Sequence, residues 1–198
     1  MRHRLLSRTL TFALACCAVL PAAAHGAPSA SAAGVRPGAC TAAAAHVTVS
    51  RETVATAASA TLCLLNRERT RRGLKPLRLD RRLSKAALAH SADMVRRGYF
   101  EHNSPNGRTP FQRMLATNYV PRGAAWTLGE NIGWGTETLS QPASLVKAWM
   151  KSPSHRQNIL NGRFREIGIG IVPGVPVRDS GLADQLGATY TTDFGQHS

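Results

Sequence analysis

The order in which hydrophobic periodicities follow one another constrains this chain most. Val54, Ala57, Ala58, Thr61, Leu62 and Leu65 recur at three- and four-residue spacings and predict a helix that Gly73 can stop. Asp80 is placed to cap a second helix, whose Leu83, Ala87, His90 and Met94 share one side and whose end is marked by Gly98. Thr109 and Pro110 open a third, with proline at the favoured first position and Asn118 as a left-handed stop, and residues 140–151 read as a fourth. Strand patterns come late: residues 126–134, then 166–172 and 187–194, the last two joined by a loop with Pro173, Gly174, Pro176 and Gly181 that suits an antiparallel pair. Helices first and a sheet late predict an α+β fold, and no internal repeat is visible.

The N-terminus sets the domain organisation. Arg2, Arg4 and Arg8 precede an apolar run over residues 9–20 and a small-residue stretch, PAAAHGA, so residues 1–27 read as a signal peptide. The run is too short to span a bilayer, and no transmembrane segment is expected in the mature protein. Cys16 and Cys17 lie inside the run, which argues against lipidation. Residues 28–52, rich in Ala, Ser, Gly and Pro, read as a linker, and residues 53–198 as one domain. Cys40 and Cys63 remain after cleavage, and an even pair in an exported chain predicts a disulfide. Two free thiols acting as ligands or nucleophiles are the less favoured alternative.

Removing the leader takes Lys+Arg from 25 to 22 against 11 Asp+Glu, so the mature chain keeps a charge near +11. Nine of its basic residues fall between Arg67 and Lys85, where the only acids are Glu68 and Asp80. Such a surface favours acidic partners, an anionic cell-wall polymer or lipid outside the cell, or it only keeps the protein soluble. Aromatic residues to stack on bases are missing from the segment, so sequence-specific nucleic-acid recognition is not expected. A monomer is expected.

The common hydrolase and nucleotide signatures (HExxH, GxSxG, a P-loop, a CxxC pair) are absent, and GIGIVPG fits a dinucleotide loop only loosely, with no βαβ unit around it. What remains is a set of three residues. In AWMKSPSHRQNIL, Pro153 should end the helix bearing Trp149 and leave His155 just past its end. YFEHNSPNG offers His102 and GENIGWG offers Glu130. Two imidazoles and a carboxylate suit Zn²⁺ or another divalent cation, with one position open. In an enzyme the same His102, Glu130 and His155 would be catalytic, a metal-bound water attacking a peptide or phosphodiester bond while Glu130 takes the proton. The structural alternative is that they bond one another and hold the cleft walls. His90, on a buried helix side, reads as a core histidine bonded to backbone.

These stretches, together with LLNRERTRRGLKPLRLD, REIGIGIV and YTTDFG in this order, resemble the bacterial branch of the CAP superfamily, the SCP-like domains of cysteine-rich secretory, antigen 5 and pathogenesis-related 1 proteins. The resemblance implies an α-β-α sandwich with a small antiparallel sheet between helices. It also implies a cleft of two histidines and two glutamates able to hold a divalent metal, of which His102, Glu130 and His155 match three. Ser152 stands where family members outside bacteria carry the fourth, and neither Glu101 nor Glu137 is selected by the sequence to replace it. The reading is therefore a secreted binding module for an anionic or lipidic ligand, with a metal-dependent hydrolase and a ligand-free structural domain as alternatives.

Overall fold

A computed structural model describes residues 40–177, 181–182 and 185–198; residues 1–27, which read as a signal peptide, and the first part of the stretch that reads as a linker lie outside the described residues. The elements run α1 (Ala42–Ala45), α2 (Val54–Thr70), β1 (Arg78–Leu79), α3 (Arg81–Arg97), α4 (Pro110–Leu115), β2 (Trp126–Thr136), a 3-10 turn (Glu137–Ser140), α5 (Pro142–Lys151), α6 (Pro153–Ile159), β3 (Glu166–Pro173) and β4 (Gly187–His197). The sheet order is β1-β3-β4-β2. β3 runs antiparallel to β4, as the loop between them predicts, β2 pairs antiparallel with the other side of β4, and the two-residue β1 adds a parallel edge beside β3.

Helices cover both faces of the sheet. α3 lies so close to β3 that a Cβ on Gly168 would fall 2.1 Å from the Leu83 carbonyl carbon and one on Gly170 2.2 Å from the Leu88 nitrogen. The glycine alternation of EIGIGIV is thus a seat for a helix backbone, while Ile167, Ile169 and Ile171 fill the core that also takes Leu65, Trp149, Tyr190 and Phe194. Local chemistry frames α3 as predicted. The Asp80 carboxylate accepts from the Arg82 and Leu83 amides, and Gly98 closes the helix in the left-handed region at φ 67°. The Thr109/Gln112 capping box starts α4, and Asn118 adopts φ 59°.

Three expectations change. α5 starts at Pro142 behind the 3-10 turn, not at residue 140. Pro153 does end α5, but it also occupies the first turn of α6, so His155 sits inside a second short helix instead of beyond the first. Residues 40–52, read as linker, are tied to the domain: Cys40 is bridged to Cys63 of α2, and Ala45 and Val49 are buried in the main core. No helix among the described residues is long and apolar enough to cross a membrane.

Candidate functional site

Edge strand β2 organises the site. Its register places Glu130 opposite Asp193 of β4, and because paired residues of antiparallel strands share a face, both carboxyls lie on the same side of the sheet. Arg113, buried on α4, reaches Glu130 Oε2 through Nη2 at 2.6 Å, and His102, from the loop after α3, donates from Nδ1 to Oε1 at 2.8 Å. Arg113 Nη1 also bonds the Arg108 carbonyl at 3.1 Å, so the guanidinium is fixed from two sides.

Burial acts to raise the Glu130 pKa, but the His102 hydrogen bond and the charges of Arg113 and His90 outweigh it and hold the carboxyl below its ordinary range. Asp193 behaves oppositely. It is fully buried, its oxygens have no hydrogen-bond partner among the described residues, and burial together with the Glu130 charge pushes its pKa well above the ordinary carboxylate value. Of the two carboxyls, Glu130, beside its arginine, is therefore the one that gives up its proton more readily, and Asp193 the one that holds it more tightly.

α6 approaches the same strand. Asn158 Nδ2 donates to the Glu130 carbonyl at 3.0 Å and to Asn131 Oδ1 at 2.9 Å, and Asn131 Nδ2 donates to the His155 carbonyl at 3.1 Å. Trp149 Nε1 donates to the Ile132 carbonyl at 3.0 Å, fastening α5 as well. His155 Nδ1 shares a 2.8 Å hydrogen bond with Ser152 Oγ. As N-cap of α6 Ser152 would ordinarily cap a backbone amide, yet its side chain makes no such bond, and its hydroxyl goes to the imidazole. Burial, and then the His102 charge, lower the His155 pKa and favour its neutral form.

Of the three predicted residues, the structure joins His102 to Glu130 directly, while His155 bonds Ser152 instead of either partner. Among the described residues no group of three His, Cys, Asp or Glu side chains is gathered as for a metal ion. The chemistry of the donors explains it: both Glu130 oxygens are occupied, one by an imidazole N–H and one by a guanidinium. As placed, the set does not fit a three-ligand divalent centre, which would require Glu130 to leave His102 or Arg113. Glu101 and Glu137 are exposed, and among the described residues neither is gathered with two other His, Cys, Asp or Glu side chains as for a metal ion. His90 is the core residue expected of it, donating from Nε2 to the Glu101 carbonyl at 3.0 Å.

Sequence reasoning missed Arg113 and Asp193. A signal existed for Asp193, a lone acid inside the otherwise uncharged YTTDFG strand. Arg113 gave less, one basic residue on a six-residue helix whose burial only the tertiary structure reveals.

Comparison with known proteins fits this geometry. Residues 62–179 match the profile described as CAP, the cysteine-rich secretory protein family. The chain is 47% identical over 109 residues to the uncharacterized protein YkwD of Bacillus subtilis (strain 168), and 33% identical over 110 residues to that organism's uncharacterized membrane protein YlbC. These matches cover 55% and 56% of this chain but 40% and 30% of the relatives, so the chain spans less than half the length of either. Among solved structures it superposes on an extracellular protein containing an SCP domain from Bacillus anthracis str. Ames with TM-score 0.56 and 27% identity, covering 74% of this chain and 43% of that one. It shares the fold of an outer surface protein from Borrelia burgdorferi, with TM-score 0.54 and 22% identity over 68% of this chain and 87% of the other. With the family profile matched over more than half its length, the chain belongs to the CAP, or cysteine-rich secretory protein, family.

Proposed function

We propose that this protein is an exported CAP-domain binding module that engages an anionic or lipidic extracellular ligand, with its cleft serving recognition instead of hydrolysis. The occupancy of Glu130 carries the reading. A hydrolytic mechanism needs this carboxylate as proton acceptor or metal ligand, and here it holds His102 at 2.8 Å and Arg113 at 2.6 Å. In that role Glu130 fixes the His102 tautomer with Nδ1 protonated, so that Nε2 is the nitrogen left for a ligand; the Ser152 hydroxyl, able to donate or accept, engages Nδ1 of His155 and likewise leaves its Nε2.

Export is supported by the leader-like sequence of residues 1–27, by the Cys40–Cys63 disulfide and by the extracellular relative from Bacillus anthracis. An anionic ligand is supported by the excess of Lys+Arg over Asp+Glu. The mature protein is expected to be retained at low salt on anionic cell-wall polymer or on anionic vesicles and to be released as salt rises. Passage through both without retention at low salt would overturn this function. A metal-dependent hydrolase remains the competing reading, and it requires Glu130 to be freed from Arg113.

A further inference from the structure

The charge excess is not spread evenly, and its placement depends on one buried side chain. Arg69, near the end of α2, has no exposed surface. Its Nε donates to the Lys75 carbonyl at 2.9 Å, Nη1 to the carbonyls of Ile159 and Asn161 at 2.7 and 3.0 Å, and Nη2 to that of Phe164 at 3.2 Å. This guanidinium clasps the loop after α2 to the turn after α6, two segments about ninety residues apart in sequence. The seam is continuous with the β1 edge of the sheet, where the Arg78 amide donates to the Arg165 carbonyl and the Asp80 amide to that of Ile167. The end of α2, the loop that follows it, β1, the start of α3 and the turn at residues 161–165 therefore adjoin one another along the β1 edge of the sheet, and this edge is the face on which these basic residues gather.

Every acid on that face is already engaged. Glu68 is bound by Arg71 and Arg72, Asp80 caps α3, and Glu166 is shared by Arg78 and the Tyr119 hydroxyl. Arg67, Lys75, Arg81, Arg82, Lys85 and Arg163 are exposed and have no carboxylate partner among the described residues. Arg163 also borders a depression lined by Gln157, Leu160 and Asn161. A face whose few acids are held by internal partners and whose cations outnumber them attracts polyanions.

We infer that this face is a docking surface for a linear phosphodiester polymer that carries no bases, held across α2, β1, α3 and the Arg163 turn. The inference rests on the anionic-ligand reading above and commits it to one surface and one partner chemistry. Arginine forks match phosphate oxygens in bidentate fashion, and four of the six free cations are arginines. No aromatic side chain belongs to the set, so bases would find no stacking platform. Leu79 is a large apolar side chain exposed beside it, too little for the apolar face by which a surface helix enters a membrane.

The test compares two mature variants of equal net charge. One carries Lys75→Gln, Arg81→Gln, Arg82→Gln and Arg163→Gln on the face; the other carries Arg51→Gln, Arg122→Gln, Lys147→Gln and Lys151→Gln on other elements. Binding to synthetic poly(glycerol phosphate) is measured from low to moderate salt, with poly-glutamate and phosphatidylglycerol vesicles as competing probes. The wild type should prefer poly(glycerol phosphate). The face variant should lose at least about tenfold in affinity and about three units of the log K against log salt slope, while the control changes by no more than about twofold to threefold. Equal losses in the two variants would overturn the surface and leave the general anionic reading intact. Equal or tighter binding of poly-glutamate or vesicles would overturn the phosphodiester-polymer choice. A wild type that binds none of the three would overturn the inference and the anionic reading together.

Discussion

Glu130→Gln separates a carboxylate built into the fold from one held free for chemistry. The substitution keeps side-chain shape but removes the charge facing Arg113, and the side chains of the pair are only 2% and 7% exposed. Removing one partner of a buried ion pair costs about 3–5 kcal/mol, because the remaining charge is stranded in a poorly solvating site. Relief comes from Asp193, whose pKa is raised by burial first and by the Glu130 charge second. With that charge gone Asp193 ionises more readily and offsets part of the cost of the stranded Arg113. The net expectation is a loss of about 2–4 kcal/mol in urea unfolding at about pH 7, or roughly 5–15 °C in Tm for a domain of this size. Adding Arg113→Met should recover part of the loss, since the stranded charge then disappears. A single-mutant loss below about 1 kcal/mol, or strict additivity in the double mutant, would refute the claim that Glu130 is held by Arg113.

Arg69→Ala should be more damaging than its position in a basic stretch implies. It orphans the buried contacts at the Ile159 and Phe164 carbonyls, at about 1–3 kcal/mol each, for a loss of roughly 3–5 kcal/mol by chemical denaturation. For His90, burial lowers the pKa. A histidine whose folded pKa is depressed contributes stability that is present above about pH 6.5 and lost as pH falls toward the folded value. NMR should place its titration midpoint below the ordinary histidine value, and His90→Gln should flatten the acid limb of the stability profile; a midpoint at or above about 6.5 would contradict the assignment.

Where structure follows from local chemistry, the sequence announced it. The Asp80 cap, the Gly98 stop, the Thr109/Pro110 start and the left-handed Asn118 each depend on a few adjacent residues, and all were legible. So was the strand over residues 166–172, though not that its isoleucines fill the core while its glycines seat α3. Features requiring distant partners were not. Arg69 reads as one more surface arginine until segments some ninety residues away bring their carbonyls to it. Glu130 reads as an open ligand until α4 carries Arg113 against it. His155 was located in sequence, but α6 and the diverted Ser152 hydroxyl that set its geometry were hidden because Pro153 can both end one helix and begin the next.

On the proposed function, Glu130 serves the fold and the His102 tautomer, and the cleft serves recognition instead of holding a metal. Calorimetric titration of the chelator-stripped mature protein with Zn²⁺ at about pH 7.5, beside a His102→Ala/His155→Ala variant, tests this most directly. No stoichiometric tight binding is expected, and the same weak heat from wild type and variant. One-to-one binding in the wild type that the double variant abolishes would contradict it, and would put Glu130 back in the role of a ligand.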